Sequence, residues 1–191
     1  AHAEFKDYFT YYVNNNQGFT LNNIDQYKHQ DVIVGCHHYL DGLLIKHGKD
    51  LQVLEHDYGY YNKLVPGRQW SQPGELEPNK PLVIATPFPG YLGVHPQYGE
   101  ILDEAKEKNI AIHLDGAWLS CSTGIEIDLG HSAIASVGIS LSKGYYASWN
   151  RIGVRYTKFH DPTDPITIYN SVNMCPDSCV INGTLLLENI P

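Results

Sequence analysis

Ser136-Val137-Gly138-Ile139-Ser140-Leu141-Ser142-Lys143-Gly144 alternates apolar residues with small ones and ends on a lysine inside a Ser/Gly turn. Period-two alternation predicts a β-strand over 136–141, and the turn at its end presents one amine to a pocket. Eight positions past the lysine comes Arg151-Ile152-Gly153. Upstream, the mostly apolar run 110–114 ends on Asp115, within His113-Leu114-Asp115-Gly116-Ala117-Trp118. An amine, a carboxylate, an aromatic and a guanidinium therefore stand at predicted strand ends.

Those residue types suit pyridoxal phosphate (PLP). A lysine forms a Schiff base with the cofactor aldehyde, and a carboxylate at the pyridinium nitrogen makes the ring an electron sink. An arginine, hydroxyls and backbone N–H groups at a helix start hold a phosphate dianion. The pattern Ser-x-Ser-Lys followed by Arg-x-Gly resembles the class I/II aminotransferases of PLP fold type I. In the same order upstream, Ile33-Val34-Gly35-Cys36-His37-His38-Tyr39-Leu40-Asp41 is similar to that family's phosphate-binding loop, and Asp57-Tyr58-Gly59-Tyr60 to its ring-stacking segment. The likeness spans about residues 20–160.

The resemblance implies Lys143 as the Schiff-base residue and as the base or acid that moves the substrate α-proton. It implies Asp115 at the pyridinium nitrogen. Arg151, Ser140, Ser142 and the loop Gly35-Cys36-His37 would lie around the phosphate, and Tyr60 against the ring. Trp118 reads either as core or as a pocket wall, and Asp115-Gly116 also suits a simple turn. Two departures stand out. Pro87-Phe88-Pro89-Gly90-Tyr91 lacks the family's Asn, and Trp118 replaces a Tyr, offering an indole N–H and no hydroxyl. The run His113-Leu114-Asp115-Gly116-Ala117 is also similar to PLP lyases such as threonine aldolases.

Around these motifs, strands and helices alternate. Helices are expected over 4–16 and 20–29, the second capped by Thr20. Strands are expected over 31–34, 51–54, 63–66, 81–85, 110–114, 136–141 and 152–157, and helices over 38–47 and 97–108. The last of these should turn Ile101, Leu102 and Ala105 inward and its charges, Glu104 among them, outward. This order predicts an α/β fold, a mostly parallel sheet with helices on both faces. No crossover helix fits between 141 and 152, so strand 152–157 should run antiparallel to its neighbour. Gly35, Asp57, Thr86, Asp115 and Lys143 fall at or just past strand ends, where such sheets bind ligands. Residues 66–80 read as a surface loop, and 161–191 as loose surface helices.

At 191 residues and 42% hydrophobic, the chain suits one domain. It divides into a helical segment 1–30, a cofactor core 31–160 and a C-terminal segment 161–191. The resembled family carries a small C-terminal domain, which the reading expects to be absent from these residues, and an Ala-His-Ala start is compatible with a fragment. A net charge of −8 and no basic run argue against nucleic acid. No apolar stretch is long enough to span a membrane, and no signal peptide is visible. The four cysteines read as reduced thiols in a cytoplasmic protein. Adjacent His37 and His38 point apart, so no metal site is expected.

The leading expectation is an aminotransferase-like enzyme that moves an amino group between an amino acid and a keto acid. A PLP lyase or decarboxylase and a non-catalytic relic of the fold are the alternatives. The resemblance also implies a homodimer. Phe5, Tyr8, Phe9, Tyr11 and Tyr12 add a physical reason, being more aromatics than one helix face buries.

Overall fold

The computed structural model describes residues 1–65, 67, 69–145, 147 and 149–189. Its centre is a six-stranded sheet built from β2 (His29–Ile33), β3 (Gln52–Val53), β4 (Leu82–Ala85), β5 (Ile112–Gly116), β7 (Ile134–Ser140) and β8 (Gly153–Thr157). The spatial order is β2-β8-β7-β5-β4-β3. From β7 to β3 the pairings are parallel, and β8 runs antiparallel to both β7 and β2. The mostly parallel sheet and its one reversed strand are those the sequence predicts.

Helices cover both faces. On one lie α2 (Gly35–His47), α3 (Tyr60–Leu64) and α5 (Pro165–Ser171), packed on Ile33, Val53 and Val83. On the other lie α1 (His2–Asn15), α4 (Tyr98–Glu107) and α6 (Asp177–Glu188), packed on Leu82, Ile84, Val137 and Ile139. Leu82, Val83 and Ile84 are successive residues divided between the two cores, as period-two geometry requires of a strand buried on both faces. Gly138 lets α2 approach closely: a Cβ there would lie 2.4 Å from the Tyr39 ring.

Several local expectations are corrected. Residues 20–29 form no helix and Thr20 caps nothing; Phe19–Asn22 is strand β1, followed by a 3-10 turn at Ile24–Gln26. Phe19 and Leu21 are buried while Thr20 and Asn22 are exposed, so the period is two. β1 pairs in parallel with β6 (Ile125–Asp128), a strand the sequence reading missed because four residues with two apolar positions give too short an alternation. Residues 63–66 are not a strand, since α3 occupies Tyr60–Leu64; Pro66 itself lies outside the described residues. The C-terminal helices are not loose, because Ile166, Val180, Thr184 and Leu187 are buried. Ile190 and Pro191 also lie outside the described residues.

Ile101, Leu102 and Ala105 do face inward, but Glu104 is more than a wet charge. Its carboxylate accepts from the backbone N–H groups of Gly74 (2.6 Å) and Leu76 (2.9 Å) and from Lys108 Nζ (2.7 Å), stitching the 66–80 loop to α4. The N-terminal aromatics are used within the chain. Phe5, Phe9 and Tyr12 are buried, with Phe5–Phe9 and Phe9–Tyr12 centroids 5.5 and 5.8 Å apart, and Tyr11 is left exposed. The aromatic patch offered as a reason for dimerisation is therefore absent. No helix among the described residues is long and apolar enough to cross a membrane.

Candidate functional site

A cleft of about 540 Å³, counted out to its open mouth, lies at the carboxyl ends of β4, β5 and β7 and at the first turn of α2. Parallel strands end here together, which aligns their last side chains on one rim. Of the residues singled out from sequence, Cys36, His37, Asp115, Trp118, Ser140, Ser142, Lys143 and Arg151 line it. Leu40, Tyr58, Ala85, Pro89 and Ala117 complete the lining.

Gly35 forms the turn from β2 into α2 at φ 69°, in the left-handed region that glycine enters without strain. A Cβ at this position would sit 3.3 Å from Ser142 Oγ and 3.5 Å from Arg151 Nε. Gly35, Ser142 and Arg151 thus form a cup against a helix N-terminus. The Ser142 hydroxyl is buried and has no hydrogen-bond partner among the described residues. A buried, unused hydroxyl costs free energy on the order of 1–3 kcal/mol, and a ligand oxygen in the cup would relieve it. An anion-holding group fits this donor set.

Asp115 is buried within β5, opposite Ala85 on one side and Gly138 on the other, not just past the strand end. Its carboxylate accepts from Tyr61 Oη (3.0 Å) and from the Ala117 N–H (3.0 Å). Burial nevertheless pushes its pKa up, against those bonds. A cationic ring nitrogen would offset that burial penalty. Asp57 lies behind, accepting from the N–H groups of Tyr58 (2.6 Å) and Ala85 (3.1 Å); burial first, and Asp115 as a further cause, push it up to about 7.

Lys143 Nζ stands 4.8 Å from the Trp118 ring centroid, a cation–π contact at the lip of the cleft. Trp118 is 51% exposed, which decides between its two readings: it is a wall and not core. The turn carrying Lys143 is held by the Gly144 N–H donating to Ser120 Oγ at 3.1 Å.

Tyr60 stands outside the cleft. Its hydroxyl donates to Asp41 (3.0 Å) and its ring meets His37 edge-on at 4.6 Å, while Tyr58 supplies the aromatic wall. Choosing among Tyr58, Tyr60 and Tyr61 needs the direction of the chain between β3 and α3, which no periodicity encodes. Thr86 and Gly35 do not line the cleft either; Thr86 donates its N–H to the Asp115 carbonyl at 2.8 Å. Among the described residues no group of three or more His, Cys, Asp or Glu could hold a metal ion, and all four cysteines are free.

No protein-family model and no curated protein matches the sequence. Solved structures do match. An aminotransferase from Mycobacterium tuberculosis superposes with a TM-score of 0.72 at 14% identity, over 98% of this chain and 57% of its own. A PLP-bound C-S lyase from Staphylococcus hominis gives 0.63 at 15%, over 96% and 54%. An alanine aminotransferase from Pyrococcus furiosus gives 0.61 at 15%, over 99% and 62%. At these identities the likeness establishes the fold, which is that of the large domain of PLP fold type I enzymes. The chain spans a little over half the length of the structures it matches.

Proposed function

We propose that this chain is the cofactor-holding part of a PLP-dependent, aminotransferase-like enzyme. The observation that carries the reading is the unpartnered Ser142 hydroxyl in a cup with Gly35 and Arg151, on the same cleft as Lys143 and Asp115. Ser142, Ser140, Arg151 and the start of α2 would hold the phosphate, with Cys36 and His37 in that first turn. Asp115, kept in place by Tyr61 and Ala117, would hold the ring nitrogen in its protonated form. Tyr58 would cover one side of the ring. When bound, pyridoxal phosphate supplies an electron sink for the charge left at the substrate α-carbon. Lys143 would anchor the cofactor through its amine, then take and return the proton at that α-carbon. Trp118 would shield the amine from bulk water at the lip.

The test is titration with pyridoxal phosphate. A visible absorbance band, fixed by borohydride as a mass increment on Lys143 and missing in Lys143→Ala, is the expected result. No band, or a label on another lysine, sinks the proposal and favours a non-catalytic relic of the fold. A lyase is the second reading, because a C-S lyase is among the matched structures. A panel of amino acids, assayed for keto acid without loss of a side-chain group or for a cleaved thiol, separates the two. The same reading makes the protein a cytoplasmic homodimer acting on amino acids and keto acids. It is supported by the resemblance and by four unbridged cysteines. A monomer in sedimentation equilibrium at micromolar concentration would remove the dimer.

A further inference from the structure

His37 is placed to do more than lend a backbone N–H to the start of α2. Its Nδ1 lies 2.8 Å from Arg151 Nη2. A guanidinium can only donate, so Nδ1 must accept and the imidazole proton must reside on Nε2. That nitrogen lies 3.3 Å from Tyr58 Oη, which is therefore the acceptor. The ring is wedged between two tyrosines, with centroids 4.6 Å from Tyr60 and 5.9 Å from Tyr58, both close to edge-on. Tyr60 is in turn fastened to Asp41 on α2. Burial and then the Arg151 charge lower the His37 pKa, which keeps the ring in the neutral form that can accept. Arg151 is otherwise an exposed side chain with many rotamers. Its ordering must come from a partner.

We propose that His37 is a positioning residue that fixes the Arg151 guanidinium beside the Gly35–Ser142 cup, and so sets the preference of the cleft for a phosphorylated over an unphosphorylated pyridine aldehyde. The inference rests on the cofactor reading above. It assigns the side chain of His37 a role through Arg151, and gives Tyr60 the task of bracing His37 in place of contact with the ring. An anchored guanidinium loses less freedom when an anion binds, and that advantage disappears for a ligand without the anion.

Two amides dissect the imidazole. Asparagine places an amide oxygen near the position of Nδ1 and can still accept from Arg151. Glutamine places its amide nearer Nε2, keeping the reach to Tyr58 while giving up the Nδ1 acceptor. The experiment measures dissociation constants for pyridoxal 5'-phosphate and for pyridoxal by absorbance titration. The proteins are wild type, His37→Asn, His37→Gln, Arg151→Ala and the Arg151→Ala/His37→Gln pair, each checked for folding by circular dichroism. The readout is the dissociation constant for pyridoxal divided by that for pyridoxal 5'-phosphate.

His37→Gln is expected to shrink the ratio about tenfold, and His37→Asn to keep it within about threefold of wild type. In the Arg151→Ala background the glutamine change should add nothing. A ratio unmoved by His37→Gln, equal losses in the asparagine and glutamine variants, or a full effect without Arg151 would each overturn the proposal while leaving the cofactor reading intact. A wild-type protein that binds neither aldehyde would instead defeat the cofactor reading, and this inference with it.

Discussion

Helix α2 has a charged cluster at each end, and the two are built on opposite terms. At its C-terminus Lys46 joins Asp161 (2.7 Å) and Asp164 (3.1 Å). Asp164 also binds Arg155, whose remaining donors go to Asp31 and to Thr167 Oγ1 at 2.9 Å. Arg155 is buried and its fork is spoken for by two carboxylates and a hydroxyl. At the N-terminus of α2, the groups of the cleft are under-used: Ser142 has no partner, Asp115 is held above its ordinary pKa, and Lys143 rests on a ring face. Both clusters are polar and near the sheet. Only the one with spare hydrogen-bonding capacity is prepared for something from outside the chain, since saturated groups have nothing left to offer a ligand.

The contrast is broken most forcefully at Arg155. Arg155→Leu leaves Asp31 without its cation and Asp164 with Lys46 alone, and should cost about 3–5 kcal/mol of stability in urea denaturation at pH 7. Lys143→Ala, at the other end, should change the same midpoint by less than about 0.5 kcal/mol. Comparable losses in the two variants would mean that the cleft is as structural as the ion cluster.

A second comparison uses pH. His113 on β5 bonds Ser136 Oγ through Nδ1 (2.7 Å), and Ser136 Oγ meets Tyr39 Oη at 2.6 Å. Burial, then the nearby His47 and Lys46, push the His113 pKa down to about 3. Its unfolded-state value is near 6.5, so between pH 6.5 and 3 the unfolded chain binds the extra proton and stability falls as pH falls. Asp57 has the opposite sign: its native pKa near 7 exceeds the unfolded one, so its contribution is lost as pH rises from about 4 to 7. Stability of His113→Asn relative to wild type should therefore improve by about 1–3 kcal/mol on going from pH 7 to pH 4.5, whereas Asp57→Asn should move the other way. Parallel profiles for wild type and His113→Asn would show that this imidazole is not held neutral.

The finest test is Ser142→Ala. Removing a buried hydroxyl with no partner should raise the stability of the ligand-free protein by up to about 1 kcal/mol, while weakening pyridoxal phosphate about tenfold. Stability and binding moving in opposite directions is the signature of a group kept for a ligand. A hydroxyl with a structural role would lower both.

The sequence alone determined the strands at the centre of the main sheet, though not β1, β6 or the helix over Tyr60–Leu64, because its information is local. Alternation in 136–141, the apolar runs before Ala85 and Asp115, and the short interval between Ser140 and Gly153 specify strand identity, parallel order and the reversed β8. The order Gly35, Asp115, Lys143, Arg151 was likewise readable, since chemistry of one kind recurring at strand ends needs no coordinates. Tertiary structure decided what depends on direction in space. It buried Phe5, Phe9 and Tyr12 against the chain's own sheet and α6, where composition pointed outward. It turned Tyr58 into the cleft, Tyr60 behind His37 and Tyr61 onto Asp115, three tyrosines separable only by how the chain leaves β3. It also distinguished Arg151 from Arg155. Arg155 stands in the middle of β8 and Arg151 just before its start, and packing makes the first a saturated strut and leaves the second facing an open cup. A side chain's spare hydrogen-bonding capacity is a property of its neighbours, and those are brought together from distant parts of the sequence.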